Sequence, residues 1–407
     1  MPRIVYRSWT SGADFDLGAH QGTGPAVDGA LAVDGGPAVD GALAMTRAAS
    51  TRDYTDPHRG GAVSSYEQSS WTSPVVATGF AATEVIASWN ALTPEGTWLE
   101  VEVAATLDDG SGTGWFVLGR WAETDADILP TSVPGQGDTR VEVVFDSFVA
   151  RSPRTIASYR LRVNLLRRPG SAATPTVSHL GAMASAVSTG VPVPRSASGG
   201  AEGMLIDVPA YSQQLHRGEY PQWDNGGESW CSPTSTTMVL AYWGRGPEPA
   251  DYAWVDPALQ DRFIDHAARH TFDYNYCGAG NWSFNTAYAA RFGVRAYVTR
   301  LRSLTEVEQF IRAGIPMVVS VSFKSDELDG AGYDTAGHLL TVVGFDEDGN
   351  VISNDPASHA VPSNDEVRTT YDREQFENAW LVPTGGIVYV IHPPDVELPP
   401  RPVEPNW

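Results

Sequence analysis

Two rhythms divide the chain. In the first half, apolar residues recur at every second position: Leu99, Val101 and Val103 alternate with Trp98, Glu100 and Glu102, and Tyr159, Leu161, Val163 and Leu165 alternate with Arg160, Arg162 and Asn164. Period two matches the pleat of a β-strand with one wet face, and several such segments between Gly/Pro/Asp turns predict an antiparallel sandwich. Trp98, in phase with Glu100 and Glu102, is expected on the polar face.

After residue 203 the rhythm changes to helices and then strands. The run from Cys231 to Trp243, closed by Gly244, reads as a helix, with Pro233 in the first turn, where a missing N–H costs nothing. Further helices are expected over 258–270 and 283–292, and from a Ser303–Glu306 capping box to Gly314. Strands are expected over 294–299, 317–323, 338–345, 351–353 and 387–391. Residues 186–203, rich in Gly, Ser and Pro, read as a linker, and 394–407 as a proline-rich, extended or disordered tail. The predicted fold class is therefore multidomain: an N-terminal all-β antiparallel sandwich over 1–185 and a C-terminal α+β domain over 204–393.

The candidate chemistry lies in the second half. Unpaired N–H groups and the dipole of a helix start stabilise an anion, so a thiol at Cys231 favours its thiolate form. The hydroxyls around it are expected to cap the free amides. Far downstream, Gly337-His338-Leu339 begins an apolar strand, and Asn354-Asp355-Pro356 follows the next one across the turn Asp346 to Asn350. Such a hairpin would carry the Asp355 carboxylate to the His338 imidazole. Cys231, His338 and Asp355 then have the chemistry of nucleophile, base and orienter.

The stretches Val208-Pro209-Ala210-Tyr211-Ser212-Gln213, Trp230-Cys231-Ser232-Pro233-Thr234-Ser235, Gly337-His338 and Asn354-Asp355-Pro356-Ala357 resemble the bacteriocin-leader-peptidase-like branch of the papain-like cysteine peptidases. The resemblance covers about the second half of the chain. It implies a papain-like fold, cleavage of an amide bond through a thioester, and an upstream glutamine in the oxyanion hole. Gln213 matches that position, with Gln214 and Gln222 as alternatives. Where the family usually has Cys-Gly-Pro, this chain reads Cys231-Ser232-Pro233, and the span from Gln213 to Cys231 is longer than the compact family pattern. The expected substrate is a peptide or amide. The alternatives are an acyltransferase or cell-wall peptide amidohydrolase using the same residues, and an inactive binding module.

Composition sets the limits. A chain of 407 residues exceeds one usual core. A formal charge of −22 repels nucleic acid and anionic membrane, so neither is expected as a partner. The first ten residues lack the apolar core of a signal peptide, which predicts a cytoplasmic protein, or a secreted one if the start is misplaced or a signal has been removed. Two cysteines make no disulfide framework, and Cys277 reads as structural or incidental. No cofactor or metal is expected: His266 and His270 share a helix face but have no third ligand, while His216 and His359 read as rim residues. Trp71, Trp89, Trp98, Trp115 and Trp121 would suit a carbohydrate or cell-wall ligand on the first domain, although such residues more often build core. A 12-residue repeat, Gly24–Ala32 echoed by Gly36–Ala44, reads as a local duplication lengthening a surface hairpin or loop.

Overall fold

A computed structural model describes residues 2–26 and 41–407. Most of the repeat lies outside the described residues. Contacts divide the chain into two compact units: Arg3–Ala186 with Asp273–Tyr276, and Val187–Phe272 with Cys277–Trp407.

The first unit has two seven-stranded sheets, antiparallel in every pairing. The longest pairing joins Thr97–Leu107 to Ile156–Arg167, opposing Leu99 to Leu165, Val101 to Val163 and Val103 to Leu161, all fully buried. The other sheet packs against this inner face. Trp9 from one sheet meets Trp71 from the other edge-on at 5.4 Å, and the Tyr159 hydroxyl donates to Ala182 O at 3.4 Å.

The outer face of the same strands corrects the sequence reading. Trp98 is completely buried, beneath Tyr54, Tyr66, Ala122, Ile128 and Leu166. Alternation places Trp98 on the face away from the main core, but a second apolar cluster from distant segments covers that end. Beyond it the face turns polar: Glu100 stands opposite Asn164, and Glu102 opposite Arg162. Trp71, Trp89 and Trp121 are also fully buried; among these five tryptophans only Trp115 is partly exposed, and Arg162 lies 4.2 Å over its ring.

The second unit is a six-stranded antiparallel sheet in the order Arg295–Arg300, Ile387–His392, Met317–Phe323, Thr335–Phe345, Val351–Asn354, Arg368–Tyr371. Its helices are Cys231–Tyr242, Phe263–Thr271, Trp282–Ala290, Leu304–Arg312 and Arg373–Thr384. The helix expected from residue 258 starts only at Phe263, because residues 258–262 are turn. The Ser303 side chain makes no cap bond; Glu306 reaches instead to the N–H of Arg302 at 2.8 Å. The last helix lies beyond the sequence expectation, though Asp372 caps it by accepting from the Glu374 and Gln375 amides.

Residues 187–203 are not a free linker. Gly190 N donates to Val382 O at 2.9 Å, Val193 N to Asn378 Oδ1 at 2.9 Å and Ser196 N to Glu377 Oε2 at 2.8 Å, strapping the segment along the last helix. The Arg373 guanidinium fixes it further through Ser196 Oγ and Ala197 O, both at 3.1 Å. Small residues here let backbone approach helix side chains, so composition reports irregular structure rather than lack of contact. The C-terminal residues are docked as well: Trp407 is buried 5.1 Å from Phe310, and Asn406 Nδ2 donates to Arg300 O at 2.8 Å. Among the described residues, no helix is long and apolar enough to cross a membrane.

Candidate active site

Cys231 is the first residue of its helix, and Cys231 to Leu240 are all buried. Two hydroxyls of this buried helix dock onto neighbouring elements rather than capping its start as expected, and Thr237 Oγ1 donates to Thr234 O within the helix at 2.8 Å. Ser235 Oγ donates to Leu339 O at 3.0 Å, one residue from His338, and Ser232 Oγ is 2.9 Å from the Tyr389 hydroxyl. Trp230, before the helix, offers no side-chain cap, so the first-turn amides stay open on the thiol's side.

His338 lies on the Thr335–Phe345 strand and Asp355 directly follows Val351–Asn354, which pairs with it. His338 Nε2 is 2.8 Å from Asp355 Oδ1, both residues being buried. That contact leaves Nδ1 for the Cys231 side chain, which acts electrostatically on the ring. Asp355 accepts three further bonds: Ala357 N at 2.9 Å on Oδ1, and the hydroxyls of Tyr333 and Tyr371 at 2.6 and 2.7 Å on Oδ2. Sequence reasoning misses the two tyrosines, because neither carries a local signal; only the fold brings them to one carboxylate. Tyr333 also stands edge-on to the His338 ring at 5.6 Å.

Burial alone would push the imidazole toward neutrality, but the charges of Asp355 and Cys231 outweigh it and raise the His338 pKa to about 10. Burial likewise works against the Asp355 carboxylate, and His338 with the two tyrosine hydroxyls overcomes it, lowering its pKa to about 2. Burial, with the same anion adding to it, drives the Tyr333 and Tyr371 hydroxyls well above their usual range, so both remain donors.

Gln213 is buried on a short turn, Gln213–His216. Its N–H donates to Pro356 O at 2.9 Å, next to Asp355, and its Nε2 donates to Glu228 O at 2.6 Å, three residues before Cys231. Nε2 keeps a second hydrogen. Gly227 permits this closeness, since a Cβ there would lie 2.2 Å from Gln213 O and 2.6 Å from His216 Cβ. Gln214 Oε1 is occupied by Arg217 at 3.2 Å, and Gln222 is exposed. The structure thus brings Cys231, His338, Asp355 and Gln213 to one place and leaves Gln222 at the surface.

The other chemistry-bearing residues fall elsewhere. His266 and His270 have ring centroids 4.3 Å apart, but His266 Nδ1 is 2.9 Å from the Tyr288 hydroxyl, and burial with Arg291 and Arg269 nearby lowers its pKa to about 3. His216 is no rim residue; it is completely buried. His359 is partly buried, between Ala331 O and Thr369 Oγ1 at 2.9 and 2.8 Å. Asn281 caps its helix by accepting from Phe284 N at 3.0 Å. Neither cysteine is in a disulfide; Cys277 is exposed.

Residues 205–386 match the Peptidase_C39 like family, and residues 5–185 match the Peptidase C39 N-terminal domain. The two matched segments belong to the C39-like peptidase family. A cysteine peptidase-like function follows from that membership at the level of the family. Among solved structures, a Bacillus anthracis protein assigned as a C39-like peptidase is 18% identical, with 46% of this chain and 96% of that one covered at a TM-score of 0.29. A family two carbohydrate esterase from Cellvibrio japonicus is 10% identical, covering 45% and 34% at 0.18. A LamA variant from Z. galactanivorans, solved with laminaritriose and laminaritetraose, is 10% identical, covering 44% and 97% at 0.18. Scores this low carry no argument about fold or activity. No curated protein sequence matches the chain.

Proposed function

We propose that the C39-like unit is a papain-like cysteine hydrolase that cleaves an amide bond of a peptide substrate through a thioester. The observation that carries the reading is the Asp355 carboxylate, saturated by four donors, one of them His338 Nε2 at 2.8 Å, with the ring's other nitrogen turned to a thiol at a helix start. The Cys231 thiolate attacks the carbonyl carbon, and the resulting oxyanion is stabilised by the Cys231 N–H and the second Nε2 hydrogen of Gln213. Each such donor contributes about 2.7–4 kcal/mol. His338 gives its proton to the leaving amine as the C–N bond breaks; it then takes one from water, which attacks the thioester and releases the acid and the thiol. Asp355 keeps the proton on Nε2 and stabilises the imidazolium.

The test is digestion of a proteome-derived peptide library in ¹⁸O-water, read by mass spectrometry. New C-termini carrying one ¹⁸O, absent with Cys231→Ala, support hydrolysis. Products joined to an added amine, with no ¹⁸O, identify an acyltransferase, and no turnover by wild type leaves a binding module as the better account.

The first unit has a groove of about 360 Å³ on the polar outer face of its sheet, lined by Glu100, Glu102, Asn164, Gln68, Arg52 and Arg120. Planar amides, carboxylates and guanidinia are the groups that recognise sugar hydroxyls, so we assign this groove, rather than the buried tryptophans, to a carbohydrate or cell-wall ligand. Binding of soluble cell-wall glycan fragments, lost in Gln68→Ala at unchanged Tm, tests this; binding unaffected by the substitution contradicts it.

A further inference from the structure

Asp265, on the Phe263–Thr271 helix, is fully buried, and neither of its carboxylate oxygens has a hydrogen-bond partner among the described residues. Among the described residues it is the one buried carboxylate with both oxygens in that state. A buried carboxyl group left without hydrogen bonds costs several kcal/mol if it ionises, and native folds match such a group with a donor or a cation. Two further groups turn toward it. His216 Nδ1 lies 3.5 Å from Asp265 Oδ2 and 2.7 Å from Glu219 Oε2, and one ligand atom from each of the three residues falls within 4.8 Å of the others.

We infer that His216, Glu219 and Asp265 form a binding site for a divalent first-row transition metal of the zinc class. One imidazole nitrogen and two carboxylates are a three-ligand set that zinc completes with water, whereas calcium and magnesium favour oxygen alone. The metal takes the place of the His216 Nδ1 proton, which leaves to solvent, and two carboxylates with neutral imidazole balance its charge. Zinc ligand atoms stand about 3.3 Å apart, so the His216–Glu219 pair opens slightly and Asp265 closes in. The side chains of His216 and Asp265 are 1% and 0% exposed and that of Glu219 is 13% exposed, which gives the ion an entry from the Glu219 side.

The location gives the metal a structural task. His216 ends the turn that begins at Gln213, and its ring centroid is 6.0 Å from that of Trp230, the residue before Cys231. A bound ion would staple this turn to the Phe263–Thr271 helix and fix Gln213 in place. That consequence rests on the reading of Gln213 as an oxyanion donor; the metal site itself does not.

The experiment uses the full chain carrying Cys231→Ala, so that the thiol cannot compete for metal. Zn²⁺ is titrated against a chromophoric chelator, and Co²⁺ is added separately to record visible absorption. The expected result is one tightly held equivalent of Zn²⁺, a Tm that rises with Zn²⁺, and a cobalt d–d band without thiolate charge transfer. Asp265→Asn or Glu219→Gln should each weaken Zn²⁺ by about ten-fold or more and abolish the Tm rise. If Asp265→Asn does not fold by circular dichroism, Glu219→Gln carries the comparison. No uptake of either metal, or uptake unchanged by both substitutions, overturns the site. Because the parent in this test is catalytically dead by design, its failure is distinct from failure of the peptidase reading.

Discussion

Replacing Asp355 with asparagine removes the anion that keeps His338 protonated and leaves its volume in place. In the wild type the His338 pKa stands at about 10 against an ordinary 6.5, a difference worth on the order of 5 kcal/mol at about 1.4 kcal/mol per pH unit, shared between Asp355 and Cys231. The sign follows from linkage. His338 contributes stability fully present below pH 6.5 and lost as pH rises through about 10, while Asp355, at about 2 against 3.8, contributes stability present above pH 3.8 and lost as pH falls through 2. With Asp355→Asn, burial becomes the largest remaining influence on the ring, so its titration should move to 6.5 or below. An asparagine amide facing Nε2 would also favour the tautomer with the proton on Nδ1, the wrong nitrogen for receiving one from the thiol. The assay is ¹³C NMR of ε1-labelled histidine over pH 5–11, with His338 assigned by difference from His338→Gln. The account predicts a wild-type midpoint near 10 that drops by at least three pH units in Asp355→Asn. A wild-type midpoint near 6.5, or one unmoved by the substitution, would refute the coupling.

Other substitutions separate the parts of the site. Gln213→Ala should slow turnover of a peptide found by the library assay by roughly 10²–10³ while leaving Cys231 alkylation unchanged, because alkylation generates no oxyanion, and Gln222→Ala at the exposed position should change neither; the reverse pattern would move the oxyanion role to Gln222. Tyr371→Phe removes a hydroxyl bonded to a buried carboxylate at 2.7 Å and should cost about 1.5–3 kcal/mol in urea unfolding, with an acid-side loss of stability that begins at higher pH than in wild type; an unchanged acid limb would mean that the hydroxyl does not hold Asp355. Arg373→Ala leaves the buried Glu308 carboxylate without the guanidinium now 2.9 Å away and should lower stability by about 3–5 kcal/mol while exposing residues 187–200 to protease. Protease resistance of that segment equal to wild type would show that the strap does not depend on Arg373.

Much of the second unit is legible in the sequence because its signals are local. Pro233 and Gly244 mark the two ends of the Cys231 helix, and the apolar run from Leu339 with the turn at 346–350 marks the hairpin that joins His338 to Asp355. The misses arise where distant segments decide. Trp98 obeys the alternation of its strand, but Tyr54, Tyr66 and Ile128 cover it, and nothing near Trp98 announces them. Tyr333 and Tyr371 lie 38 residues apart yet meet at one carboxylate oxygen. His216 sits in a mostly polar stretch, Gln213 to Glu219, and is nevertheless buried, with Asp265 brought beside it from a helix some fifty residues later. Residues 187–203 show how Gly, Ser and Pro can mark a strap as readily as a linker.

Competitive alkylation of the two cysteines tests the central claim most directly. Cys231 is only 9% exposed and Cys277 is exposed, so accessibility alone favours Cys277. A thiol paired with an imidazolium and set at a helix start reverses that order. Brief treatment with iodoacetamide at mildly acidic pH, followed by peptide mapping, should label Cys231 well ahead of Cys277, and His338→Ala should abolish the preference. Faster labelling at Cys277 in the folded wild type would contradict an activated nucleophile at Cys231.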